Sequence, residues 1–463
     1  MEKRILVAIV GQGSISHIIR TGMLQQMQLF CTPVVAMLWQ QDDLINELTQ
    51  QGFEVSLMPA YKTSAAYAGV RDKLNMWYKW YKVKSPSTGI EERYRDTHYP
   101  AKKRMYNWLK RAKARTLFSL YPPYIKNLLQ QENELMQAEP VYTTYANWLN
   151  ELDVQGIFTV TPFLHELDLI ARIAATNNIQ LLASIHSFDN VTKRGWVSTF
   201  FQQYIVWNKY NKAELTRIHP PLANHITIAG APQFDFHYNQ ANIMPKNEWQ
   251  QLLGLPANKR VILYGAGIWW LFPNEPQYVT HLDEAITNGQ LPADTVILLR
   301  CHPLDYPERW KAALASSKHI ALDAYTGTRE QPDRDNITPT DISKLISTLQ
   351  HTDVHINLCS TMAVDGSVFN KPQIGPAYDE VQPATQHLLK DMYRQEHYIP
   401  IIQVQGVSLA NSKQELITLV NKALAQPSAF TANCAATVET ITSYRDGQST
   451  NRVLQVIRQF FGE

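Results

Sequence analysis

Two short stretches of this 463-residue chain carry residue types that can handle phosphate. In HINLCSTMAVDGSVFNKPQIG, residues 355–375, an apolar run ends at Asn357-Leu358-Cys359, and two hydroxyl residues, Ser360 and Thr361, follow at once. The spacing predicts a strand, a tight turn and a helix to about Asn370, stopped by Lys371-Pro372. Ser and Thr cap helices because a side-chain oxygen accepts from the free N–H groups of the first turn. Those N–H groups, with the positive end of the helix dipole, also seat a phosphate. Asp365 lies four residues after Thr361 on the same helix face, placed to accept hydrogen bonds from ribose hydroxyls. In TVILLRCHP, residues 295–303, a strand delivers Arg300 and His302 to its carboxyl end, where Pro303 bars further sheet pairing. An imidazole there can donate to a phosphate oxygen. A capped helix and a His-Pro turn each have a purely structural reading; together in one half-sheet they make a two-point phosphate clamp.

The elements that must position these residues alternate strand and helix. Ile5–Val10 is a continuous apolar run, as in a strand buried on both faces. Gly11-Gln12-Gly13-Ser14 ends it, and Ile15–Phe30 reads as a helix that carries His17 and Arg20 near the carboxyl edge of the strand. The G-x-G-x-x-G fingerprint fails, so no dinucleotide cofactor is expected. Strands at 33–39 and 53–58 flank a helix at 42–51. After residue 150 the rhythm resumes with strands at 154–160, 180–185, 204–207 and 226–228. The helix starting at Glu166 and the polar loops 186–195 and 230–237 fall at carboxyl strand ends, where ligands bind. Residues 239–259 are polar and contain Pro245 and Pro256, which suits an interdomain connection. A new strand at 259–264, closed by Gly265-Ala266-Gly267, restarts the pattern as a second Rossmann-like domain.

Between these runs, residues 71–126 hold 15 Lys or Arg against four Asp or Glu, with eleven aromatics among them. That segment carries +11 while the rest of a +2 chain sums to −9. It reads as helices with a basic, aromatic surface: a solvated arm, or an interfacial membrane helix in which Trp and Tyr mix with Lys. The low net charge argues against a dedicated nucleic-acid binder. Four dispersed cysteines form no C-x-x-C pair, so free buried thiols and a cytoplasmic setting are expected. No secretory signal opens the chain, and no run approaches the ~20 apolar residues of a membrane span. The P-loop and G-x-S-x-G patterns are absent. The one D-x-D string, Asp333-Arg334-Asp335, lies between prolines rather than at a strand end, so no metal is implied.

With HSFDNVTKRG, QYIVWNKYNKAEL, ITIAGAPQFDF, ILLRCHPLD and STMAVDGSVFNKP, the chain resembles bacterial GT-B glycosyltransferases of surface-polysaccharide synthesis. It is most similar to the CDP-glycerol glycerophosphotransferase and Kdo-transferase groups. The resemblance covers most of residues 1–25 and 150–460, leaving the basic insertion outside. It implies an α/β GT-B fold, two Rossmann-like domains facing across a cleft, with a helical basic and aromatic insertion in the first. The divisions expected are 1–240 for the acceptor domain (insertion about 61–150), 241–440 for the donor-nucleotide domain, and a helix in 441–463 that could pack back on the first. Donor binding falls to Gly265, Gly267, Arg300, His302, Ser360 and Thr361, with Asp365 at the ribose where Glu is commoner; Cys301 stands where proline is usual. Candidates for the base that takes the acceptor's proton are Asp189, Glu166 and His17. Arg20, Lys193 and Arg194 could neutralise diphosphate or bind acceptor. The leading expectation is transfer of a sugar from a nucleotide-sugar donor to a cell-surface glycan or lipid-linked acceptor, without metal or other cofactor. It has the protein acting on the inner face of the cytoplasmic membrane, with the basic segment on an anionic surface. The alternatives are polyol-phosphate transfer from a CDP-linked donor, nucleotide-sugar 2-epimerisation, or a non-catalytic nucleotide-sugar-binding role.

Overall fold

Apolar runs without polar alternation need cover on both faces, and a parallel sheet between helix layers provides it. The computed structural model describes residues 2–324 and 335–462, so Asp333 and Arg334 of the D-x-D string lie outside the described residues. The chain forms two compact units. Met1–Thr88, Tyr99–Gln233 and Gln448–Glu463 make the first; Gly89–His98 and Phe234–Gly447 make the second.

Among the described residues the first unit holds a parallel sheet of seven strands: β1 (Arg4–Ile9), β2 (Thr32–Met37), β3 (Glu54–Leu57), β4 (Gly156–Thr159), β5 (Gln180–Ser184), β6 (Gln203–Val206) and β7 (Ile226–Ile228). Their order is β3-β2-β1-β4-β5-β6-β7. The order reverses between β1 and β4, the switch point at which such sheets open a crevice for ligands. The helix expected from Ile15 to Phe30 is instead a π-helical turn, Ile15–Arg20, followed by Met23–Met27. Gly22, at φ 73°, breaks the run in a conformation that favours glycine. The last helix, Ser449–Phe461, belongs to this unit. A side chain at Gly156 would collide with the ring of Phe461, so this glycine lets the helix lie directly on the sheet.

The insertion is helical throughout, from Ala65–Trp77 to Pro140–Leu152. One of its cations is not on the surface. Arg71 meets Glu132 at 3.0 Å and Asp168 at 3.1 Å, and Arg172 meets Glu132 at 2.9 Å, all with buried side chains. Tyr67 donates to Glu132 and Arg71 lies over the Trp196 ring at 4.3 Å. This network fastens the insertion to the helix His165–Thr176.

The second unit holds β8 (Arg260–Gly265), β9 (Thr295–Arg300), β10 (Ile320–Asp323), β11 (Val354–Asn357), β12 (Gln373–Pro376) and β13 (Ser408–Ala410). Among the described residues these form a six-stranded parallel sheet ordered β10-β9-β8-β11-β12-β13, with its own switch point between β8 and β11. Residues 239–259 are not a loose connection. They contain the helix Lys246–Leu252, whose Trp249 is fully buried and donates to Thr348 Oγ1 at 2.9 Å. Two prolines and many polar residues concealed one deeply packed indole.

Breaking the insertion's buried network from one side leaves uncompensated charge. Glu132→Ala removes the carboxylate partner of Arg172 and leaves Arg71 with Asp168 alone, and it should lower unfolding free energy by about 3–5 kcal/mol, measured by urea denaturation; a loss below about 1 kcal/mol would show the network is not an anchor.

Candidate functional site

In the second unit, the loops after β8 and β9 are fixed by one buried carboxylate. Glu275 accepts from the Gly267 N–H at 2.9 Å and from the Tyr264 hydroxyl at 3.1 Å, and pairs with Arg309 at 2.7 Å. Burial raises its pKa while Arg309 and the Gly267 N–H oppose that shift. Arg309 also donates to the carbonyls of Gly267 and Phe272, and reaches Asp305 at 2.7 Å. Asp305 in turn accepts from the Trp310 indole, and its backbone N–H closes a turn onto the His302 carbonyl. The result is a rigid seat for His302. Nδ1 of His302 accepts from the Leu304 N–H at 3.0 Å. A ring nitrogen that accepts cannot carry the proton, so the neutral imidazole holds it on Nε2 and presents an N–H donor. Burial lowers the pKa of His302, against Asp305 and with Arg309, which favours this neutral form.

The turn after β11 departs from the expected cap. Cys359 adopts φ 47°, a left-handed conformation uncommon for a residue with a side chain. Ser360 Oγ accepts weakly from the Met362 N–H at 3.3 Å. Thr361 stands at the cap position with an exposed side chain and no side-chain capping bond. The helix itself spans only Met362–Val368. Asp365 lies 3.0 Å from Nε2 of the buried His237, which stacks on Phe234. Gly265 admits the Met362 sulfur, 2.6 Å from where a Cβ would stand, and Gly267 admits the Phe272 ring at 2.7 Å. Both glycines serve close packing.

In the first unit, His17 and His186 come together beside the ends of β1 and β5. A Cβ on Gly13 would stand 2.7 Å from the His186 ring, so the second glycine of GQGS makes room for an imidazole. Gln233 donates to the His186 carbonyl at 2.7 Å. Burial lowers the His186 pKa to about 4, assisted by Arg194 and opposed by Asp189 and the Val160 carbonyl. Burial and the neighbouring His186 lower His17 to about 3. Both rings are therefore neutral at pH 7, each with one nitrogen lone pair. His17 is wholly buried, whereas His186 is partly exposed.

A model of the CDP-Glycerol:Poly(glycerophosphate) glycerophosphotransferase family matches residues 183–459, more than half of the sequence. The chain belongs to this family. Solved structures similar to it include the UDP-GlcNAc 2-epimerase from Neisseria meningitidis bound to UDP-GlcNAc, at 10% identity over 98% of this chain and 100% of that one, TM-score 0.56. The S. aureus MnaA–UDP co-structure shares 9% identity over 99% and 96%, TM-score 0.55. A glycosyltransferase from Rickettsia africae shares 11% over 99% and 98%, TM-score 0.54. At these identities the likeness is one of fold, the GT-B fold. A sequence search of curated proteins gives no match. Family and fold together make this protein a GT-B enzyme of nucleotide-activated substrates.

The family match takes in His186, His302 and the Ser360-Thr361 turn; Gly13 and His17 precede it. Not every candidate side chain is open to a ligand. Asp189 accepts from Ser187 at 2.6 Å and Asn190 at 3.1 Å, with Lys193 4.0 Å away, so its carboxylate braces its own loop. Arg20 is engaged by both oxygens of Glu47. Arg300 pairs with Asp323, which also takes Lys344. Glu166 is half-buried at the start of its helix, and Arg194 is exposed. His186, His237, Glu275, Asp305 and Arg309 were not singled out by sequence. His186 and His237 lie at the ends of the polar loops 186–195 and 230–237, and Asp305 closes ILLRCHPLD; Glu275 and Arg309 carry no such trace.

Neutral buried imidazoles make the fold sensitive to acid. His219, with a pKa near 4, and His355, near 3, add to His17 and His186. The unfolded chain binds more protons than the native one below the ordinary value of 6.5, so stability falls as pH drops from there toward 4. Urea midpoints should decrease steadily across that window; a flat profile would show these rings are protonated in the native state.

Proposed function

We propose that this enzyme transfers a polyol phosphate, of the glycerol-phosphate class, from a CDP-linked donor to an acceptor hydroxyl. The observation that carries the reading is the family match over residues 183–459, which contains His302 with its Nε2–H donor. It favours polyol-phosphate transfer over the sugar transfer expected first. The epimerase likenesses are of fold alone. In such a transfer the acceptor oxygen attacks the phosphorus that bears the polyol, and the bond from that phosphorus to the bridging oxygen breaks. CMP leaves with the electron pair, and the hydroxyl proton passes to a base.

Donor binding is assigned to the second unit, with His302 at the diphosphate, Ser360 and Thr361 beside it and Asp365 toward the ribose. A neutral Nε2–H stabilises phosphoryl oxygens as negative charge builds on them. The base is assigned to His186 rather than Asp189, whose Oδ1 already accepts from Ser187 and Asn190 and whose Oδ2 faces Lys193. A neutral imidazole keeps one nitrogen lone pair for the incoming proton. His302→Ala should weaken CDP about 10- to 100-fold and cytidine little, since a hydrogen bond to a charged group is worth roughly 1.5–3 kcal/mol. His186→Ala should abolish transfer from CDP-glycerol and leave CDP affinity unchanged. Calorimetry with CDP and cytidine, and release of CMP, read these out; equal losses for both ligands in His302→Ala would refute the phosphate role.

The acceptor is proposed to be presented at an anionic membrane surface. The helix Ala101–Leu120 packs through Asn107, Arg111, Ala114 and Phe118, which leaves Met105, Leu109, Thr116 and Leu120 outward along one line. Lys102, Lys113 and Lys110 flank that line together with Trp108, which is 59% exposed. An outward apolar stripe between cations fits the headgroup level of a bilayer better than it fits water. Among the described residues no helix is long and apolar enough to cross a membrane, so this contact would be a surface one. Lys102→Glu with Lys103→Glu and Arg104→Glu should remove salt-sensitive flotation with phosphatidylglycerol vesicles, each cation being worth about 1 kcal/mol near such a surface. Wild-type protein that fails to float at low salt would overturn the assignment.

A further inference from the structure

Among the described residues, the large exposed aromatics of the second unit gather at one place. Trp269 and Trp270 are 42% and 43% exposed on the loop after β8, and Tyr306 is 47% exposed on the loop after β9. Trp269 is the centre of the group. Its ring lies 5.6 Å from Trp270 and 5.7 Å from Tyr306, edge to face in both pairs. Large rings left in water cost free energy, and three that brace one another form a patch rather than scattered exposure.

Their position says what could cover them. Both loops leave the carboxyl ends of adjacent strands, the edge at which open α/β sheets bind ligands. They are also immobilised by the residues that seat His302. Arg309 holds the Phe272 carbonyl at one end of the tryptophan loop, and its partner Asp305 immediately precedes Tyr306. Asp305 Oδ1 accepts the Tyr306 N–H at 2.8 Å. Phosphate donor and aromatic platform thus share a single anchor. A nucleoside diphosphate is the ligand that needs both, a hydrogen-bond donor at its phosphates and a flat apolar face at its base.

We propose that Trp269, supported edge-on by Trp270 and Tyr306, is the stacking platform for the nucleobase of the donor. This rests on the nucleotide-donor reading above and adds to it the residue that grips the base. Stacking favours any flat base, so the platform supplies affinity, and selection of cytosine falls to other groups.

The test separates base from phosphate. Binding of CDP, UDP and inorganic diphosphate is measured by calorimetry on the full chain for wild type, Trp269→Ala, Trp269→Phe and Tyr306→Ala. Loss of one base–aromatic stack corresponds to about tenfold weaker binding. Trp269→Ala should show that loss for CDP and UDP alike, and none for inorganic diphosphate; Trp269→Phe should recover most of it. Tyr306→Ala should show a smaller loss with the same pattern. An unchanged thermal midpoint confirms that the variants fold. Nucleotide binding as tight in Trp269→Ala as in wild type overturns the platform and leaves the donor reading standing. Wild-type protein that binds inorganic diphosphate but neither nucleotide more tightly overturns both.

Discussion

A carboxylate with no access to water holds the second unit's strand ends in place. Burial raises the pKa of Glu275, and Arg309 together with the Gly267 N–H opposes that rise. Arg309 also donates to the same two loops, to the carbonyls of Gly267 and Phe272 and to Asp305. The loop after β8 cannot shift without unpairing Arg309, and the loop bearing His302 cannot shift without unpairing Asp305. Such a network is a poor source of net stability, because desolvating three charges offsets most of their attraction. What it provides is position, and His302 is the residue positioned.

The first unit uses a different device. Its two imidazoles are neutral because they are buried, not because a partner neutralises them. The ring of His186 lies against the bare Cα of Gly13, on the loop that leaves β1. One unit therefore orients a histidine by hydrogen bonds and ion pairs, the other by packing.

Alternation of apolar runs and turns made most strands of both sheets legible, because a parallel strand buried on two faces is written as an unbroken apolar segment. Two missed strands have the same physical origin. Ile320–Asp323 and Ser408–Ala410 are edge strands, half covered, and their short mixed sequences carry no such run. The helix Pro339–His351 went unread although Thr338 and Asp341 form a capping box and Pro339 occupies its first turn, a signal present in the sequence. His302 and the Ser360-Thr361 turn stand out because each follows a strand directly. Glu275, Arg309 and Asp305 do not, since their meaning lies in pairings set by the tertiary fold. Net charge misled in one respect: Arg71, counted among the basic face, is buried beneath it.

The insertion is interrupted by a segment that belongs elsewhere. Gly89–His98 is part of the second unit, where Ile90 and Tyr94 join the core and Tyr94 lies 5.9 Å from Phe272. A region that looks like an accessory arm is thus also an internal component of the second unit. It is not a cassette. Evolution could vary the exposed helix Ala101–Leu120 to suit a new surface, but replacing the whole insertion would remove two core side chains from a folding unit whose remainder begins only at Phe234. Diversification in enzymes built this way should therefore proceed by changing the face of that helix, and the stretch before it should follow the second unit's core instead.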